Sequence, residues 1–250
     1  SYASNASSDA RINTTKLGYY YYSTFVRDMG FGETVPLYLE KAYHTYSDRN
    51  YQQFRIIASS GSRYVTEFGF ELKLNKSRVA KLEISDGGKV VSSLENGDYV
   101  YENLSYLGMD IAEAGVVGII AAGQTTKVSV SVSKKYYVIR QYLSLDGVNA
   151  GEEASFANRL YTDETHSFDG LKKAAKEEEN PLTAENFAVT AKDGAAFSGY
   201  NHSTGAYEFR IDGQGFNESY FKAQQKKYFE NVRLTGVTDD RTIFLSVKTN

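Results

Sequence analysis

Histidine is the side chain best suited to move a proton near neutral pH, and this chain has three: His44, His166 and His202. No two of them stand at a spacing that would let them share a metal ion, and no H-E-x-x-H motif occurs. Spacing alone reads each as solvent-facing or singly hydrogen-bonded. Nucleophile motifs are equally sparse. There is no G-x-S-x-G elbow. Ser131-Val-Ser-Lys134 matches S-x-x-K, but it lies in or at the end of an alternating strand. Residues three apart on a strand face opposite ways, so hydroxyl and ammonium would not meet.

Glycine-rich stretches do no better. Gly30-Phe-Gly32-Glu-Thr34 contains G-x-G, yet Val35 stands where a dinucleotide loop needs its third glycine. The acidic loop around Asp146, Asn149, Glu152 and Glu153 offers oxygen ligands without the D-x-[DN]-x-[DN]-G ladder of a calcium site. The run from Lys172 to Glu179 reads as a solvated helix face. From the sequence we therefore assign no catalytic residue, no metal ligand and no cofactor. Six N-x-[ST] sequons, at Asn5, Asn13, Asn75, Asn103, Asn201 and Asn217, read as turn sequences rather than glycan acceptors.

Composition closes off further classes. A formal charge of −3, with basic residues scattered, leaves no footprint for nucleic acid. The absence of cysteine removes disulfides, thiolate nucleophiles and Cys-ligated zinc or iron–sulfur clusters. No apolar run approaches the roughly 20 residues of a membrane-spanning helix. The longest, Val116 to Ala122, has the length of a strand and reads as a buried central one.

Residues 1–16, polar and rich in Ser, Asn and Ala, read as a flexible tether of an exported protein. Any membrane association is expected only through an N-terminal anchor, and the expected location is extracytoplasmic, at the cell surface or in the periplasm. From 17 to 146 the chain alternates with period 2. Tyr64, Phe68, Phe70, Leu72 and Leu74 fall on one face, with Glu67, Glu71 and Lys73 on the other. Ala80, Leu82 and Ile84 repeat the rhythm, which suggests a hairpin with one wet face. Asn96-Gly97 suggests a second hairpin between 90–94 and 98–101. Val128, Val130 and Val132 give way to Tyr137, Ile139 and Leu143, so Ser133-Lys134-Lys135 must turn or bulge.

The texture changes over 147–185. Residues 151–163 and 169–181 lack alternation and read as short helices, the second capped near Asp169 and ending before Pro181. Strands resume over 187–189, 206–212 and 241–249, with a helix expected over 217–232. The expected fold is thus all-β, a mainly antiparallel β-sandwich over 17–146. A helical connector or insertion (147–185) leads to a smaller β-rich unit over 186–250 that carries one helix.

Tyrosine supplies most of the aromatic content, with 21 residues. It concentrates where one end of a side chain is dry and the other wet, and it serves recognition surfaces for the same reason. The candidate ligand-binding residues are Tyr19, Tyr20, Tyr21, Tyr22, Tyr99 and Tyr101. With no catalytic spacing, the expected function is a non-catalytic exported binding or adhesion module for a protein or glycan. The alternatives are a carbohydrate-active hydrolase using carboxylates gathered from separate strands, and a structural subunit of a fimbria or virion.

Overall fold

Apolar side chains at every second position dictate strands, because successive residues of an extended chain point to opposite faces. The computed structural model describes residues 8–17, 20–28, 37–45, 49–58, 62–63, 65–124, 126–186, 196–212, 232–237 and 242–247. The chain forms two units, Ser1–Glu179 and Asn180–Asn250. Every strand pairing described is antiparallel.

The first unit contains β1 (Ser8–Leu17), β2 (Tyr20–Asp28), β3 (Leu37–Thr45), β4 (Arg49–Ala58) and the short β5 (Ser62–Arg63). There follow β6 (Val65–Asn75), β7 (Val79–Asp86), β8 (Lys89–Val91), β9 (Gly97–Tyr101) and β10 (Leu104–Ile111). Then come β11 (Gly115–Ile120), β12 (Lys127–Val132), β13 (Tyr136–Ser144), β14 (Val148–Asn149), β15 (Glu153–Asp163) and the helix α1 (Asp169–Glu179). Six strands form one sheet in the order β1-β2-β6-β13-β12-β9. Seven form another, β3-β4-β15-β11-β10-β7-β8.

The two sheets share one core. Phe68, Phe70, Leu72 and Leu74 from β6 and Val128, Val130, Val132 and Ile139 from β12 and β13 meet Leu82, Ile84, Leu107, Met109, Ile119 and Leu160 from the other sheet. Phe68 and Phe156 bridge them edge to face, with ring centroids 5.3 Å apart. This is the sandwich that the alternation suggests. The turn at 133–135 joins β12 to β13, setting Val132 opposite Tyr137 and Val130 opposite Ile139. β11 is buried along its whole length, as its unbroken apolar run requires.

Several local expectations are corrected. β6 and β7 do not form a hairpin: the three-residue 3₁₀ turn Lys76–Arg78 carries the chain from one sheet to the other. β6 is a central strand whose outward face is partly buried, with Glu71 buried against Arg140 at 2.8 Å. β8 and β9 likewise belong to different sheets, so Asn96-Gly97 serves a crossing rather than a hairpin. Residues 153–163 are a strand, not a helix. Phe156, Asn158 and Leu160 face the core while Ala157, Arg159 and Tyr161 face outward, and all six are buried. Covered on both faces, that strand shows no alternation of wet and oily residues. The NH2 group of its interior Asn158 joins a chain: it donates to Gln141 at 2.7 Å, and Gln141 donates to Thr126 at 2.9 Å and Gln124 at 2.7 Å.

β1 covers most of the stretch read as a tether, and pairs along β2 with a bulge between Ile12 and Thr15. The unit boundary falls after Glu179, within the stretch 147–185 read as the connector. Among the described residues α1 is the single α-helix. The helix expected over 217–232 lies almost wholly outside the described residues, as does the strand expected over 187–189. The second unit holds a four-stranded sheet, β16 (Ala196–Asn201), β17 (Ala206–Asp212), β19 (Thr242–Val247) and β18 (Val232–Val237), in the order β16-β17-β19-β18. There Tyr200 and Tyr207 pack with ring centroids 4.8 Å apart, and the Tyr207 hydroxyl accepts the Leu182 N–H at 2.9 Å.

Candidate functional site

A sandwich hides one face of each sheet, so chemistry must be sought on an outer face, at an edge or in a loop. On the seven-stranded sheet the outward residues fall into cross-strand rows. Asp110 on β10 stands opposite Lys81 on β7 and opposite Val116 on β11, which in turn stands opposite Asp163 on β15. Directly paired residues share a face, so both carboxylates point outward, two strands apart. At about 4.8 Å per strand their Cα atoms are separated by about 10 Å.

The segment between β15 and α1 brings a histidine onto this row. Asp163 Oδ1 accepts the Thr165 N–H at 2.8 Å, turning the chain, and Ser167 Oγ accepts the Asp169 N–H at 3.2 Å. The turn sets His166 Nδ1 2.6 Å from Asp110 Oδ1. Asp110 is 4% exposed and the imidazole 54%, so a buried carboxylate grips a ring that stands in solvent. A carboxylate can only accept, so the neutral ring carries its proton on Nδ1 and offers the lone pair of Nε2. An imidazole oriented by a buried carboxylate is able to exchange a proton through its outer nitrogen. Asp163 is held ionised: the Thr165 N–H, then the Tyr161 hydroxyl at 2.8 Å, draw its pKa below the ordinary value despite its burial.

The helix covers the middle of the same face. Its buried residues Leu171, Ala174, Ala175 and Glu178 recur at i, i+3, i+4 and i+7, one stripe of the helix. Leu171 and Phe168 sit over Gly108 and Gly118. A Cβ on Gly108 would lie 2.5 Å from Leu171 Cδ2 and 2.9 Å from the Phe168 ring. Around this contact the ties are polar. Lys172 pairs with Glu83 at 3.0 Å, and Glu83 accepts the Tyr106 hydroxyl at 2.5 Å. Burial, then the bond to Glu83, push the Tyr106 phenol well above its ordinary pKa. At the last turn Glu177 pairs with Arg49 at 2.6 Å. Glu178, wholly buried, accepts the Tyr51 hydroxyl and faces Arg49 at 3.7 Å and Arg159 at 3.6 Å. The run read as a solvated face thus hides one carboxylate, and its place on the apolar stripe was the signal.

Of the tyrosines singled out from the sequence, Tyr19 lies outside the described residues. Tyr20, Tyr21 and Tyr22 occupy β2 opposite Leu74, Lys73 and Leu72 of β6, and their side chains lie outside the described ones. Tyr99 and Tyr101 are half-buried on β9 and pack against the core. Burial raises the Tyr101 phenol pKa. The structure does not bring these two together with His166. In the acidic loop, Glu152 accepts from Asn149 at 2.9 Å and Glu153 pairs with Arg55 at 2.8 Å.

No protein-family model matches the chain, and no curated protein matches it. Among solved structures it is similar to a putative aldose 1-epimerase from Escherichia coli K12, with 8% identity, TM-score 0.38, and 62% of this chain and 68% of that chain covered. A galactose mutarotase related enzyme from Lactobacillus acidophilus aligns with 9% identity, TM-score 0.35, and 63% and 72% covered. A 4-alpha-glucanotransferase from Thermococcus litoralis aligns with 11% identity, TM-score 0.32, and 60% of this chain but 22% of that one. The expectation of a non-catalytic binding module is corrected: these three neighbours are named as enzymes of sugars. At TM-scores this low they assign no chemistry here, which must come from the chain's own side chains.

Proposed function

We propose that this chain is a carbohydrate-active enzyme working by acid–base chemistry, with His166 as the group that moves the proton. The observation that carries the reading is the 2.6 Å contact between buried Asp110 and His166 Nδ1. It fixes the tautomer and turns Nε2 outward, ready to take a proton from a sugar hydroxyl or from water and return it. Asp110 is a positioning residue, acting through the ring. Asp163, kept anionic by its turn, supplies a charged acceptor on the same row, either for a neighbouring hydroxyl or for positive charge developing at an anomeric carbon. The two acids come from separate strands, β10 and β15.

The test is a panel of free aldoses, followed for interconversion of their anomers, beside chromogenic glycosides followed for release of the aglycone. The wild-type chain is expected to accelerate one of the two reactions. His166→Ala should reduce that rate by about 10²–10⁴-fold while leaving the fold intact. Activity on both panels indistinguishable from buffer, or undiminished in His166→Ala, would overturn the proposal.

A further inference from the structure

Glu178 deserves an explanation that packing does not give. A fourth apolar residue would complete the stripe of Leu171, Ala174 and Ala175, yet the position holds a carboxylate with no exposed surface. The sheet is built to receive it. Arg159 and Tyr51 are a register pair on adjacent strands, β15 and β4, and Arg49 lies two residues before Tyr51. All three converge on the one carboxylate, and Arg159, whose own side chain is wholly buried, also donates to the Ala122 carbonyl. Two guanidinium groups and a phenol directed at one point form a carboxylate receptor.

We propose that this receptor is a ligand site, that Glu178 is its internal occupant, and that the external ligand is a carboxylate-bearing sugar, a uronate oligosaccharide. The inference rests on the carbohydrate reading above and names its substrate class. The helix is suited to giving way. Its apolar footprint is Leu171 and two alanines beside Phe168, packed on Tyr106, Val116, Ile120, Ala122 and Tyr161, while the ties at its flanks and last turn are polar: Lys172–Glu83, Arg49–Glu177 and the receptor itself. A ligand carboxylate replaces Glu178 like for like. The receptor and the acid–base row lie on the same face, with Arg159 four residues before Asp163 on β15, or about 13 Å along the strand. An oligosaccharide reaches both places; a monosaccharide reaches one.

The occupant also lowers apparent affinity, since only the fraction of molecules with the helix displaced can bind. The experiment titrates the full chain, and its Glu178→Gln variant, with trigalacturonate and with the methyl ester of the same sugar, by calorimetry. The acid should bind the wild type roughly tenfold or more better than the ester, and Glu178→Gln should strengthen the acid alone, again by about tenfold. Hydrogen exchange gives an arm that needs no variant: saturating trigalacturonate should speed exchange of the amides of α1 in the wild type. Equal binding of acid and ester, or α1 exchange unchanged at saturation, overturns the inference, and the wild-type arms decide if the variant does not fold. Uronate binding without turnover in the panels above would retain this site and remove the enzyme reading. Turnover of neutral sugars with no preference for the acid would do the reverse.

Discussion

At the scale of single residues, reactivity depends on which groups are locked and which are left to act. Asp110→Asn should leave His166 in place but able to take the other tautomer, lowering turnover by about 10²-fold or more with little change in KM, as read from steady-state kinetics. Tyr106 supplies a prediction about stability. Its folded pKa is raised, so its contribution is fully present below the unfolded value near 10 and is lost as pH rises through the folded value. Urea unfolding followed above about pH 10 should show stability falling, and Tyr106→Phe should flatten that fall. Asp163 behaves oppositely: its folded pKa is lowered, so its contribution is present above the unfolded value near 4 and disappears as pH falls through the folded one. None of these groups was legible in the sequence as a partner of another. Asp110 and His166 are 56 residues apart, and only the register of β10, β11 and β15 brings them to one row.

At the scale of elements, the helix is seated by absence of side chains. Gly108 and Gly118 lie side by side on β10 and β11, forming the hollow that Leu171 enters. Gly108→Ala would force Leu171 and Phe168 aside at once, and should destabilise the first unit by about 1–3 kcal/mol, measured by denaturant unfolding. Exchange of the amides of α1 should rise more than that of β11 in the same variant. The one-sided strands and turns were the legible part. Asp86-Gly87 turns β7 into β8, with Gly87 and Gly88 at φ of 53° and 80°, and 133–135 turns β12 into β13. Two kinds of strand were not legible. Residues 156–161 of β15 are buried on both faces and carry Asn158 and Arg159 inside, so their pattern has no period to read. The pairs β6–β7 and β8–β9 look like hairpins because adjacent strands that change sheet alternate as adjacent strands in one sheet do.

At the scale of the whole molecule, alternation was enough to specify two stacked antiparallel sheets, because burying one face of each is the only way to remove that much apolar surface from water. It could not say which outer face carries chemistry, since outer faces are distinguished by what converges there. Both core clusters lie within residues 56–175. A chain ending at Glu179 should therefore keep a β-dominated circular dichroism spectrum and unfold cooperatively, whereas loss of both would place part of the core's support beyond that point. The role proposed for His166 is that of an acid–base group whose tautomer Asp110 sets for reaction with a sugar. Long-range ¹⁵N nuclear magnetic resonance of the histidine rings tests it most directly. The ring of His166 in its neutral form is expected to hold its proton on Nδ1, with an Nε2 resonance that moves when the active sugar is added and a tautomer that is lost in Asp110→Asn. A proton found on Nε2, or a ring indifferent to every sugar of the panel, would contradict it.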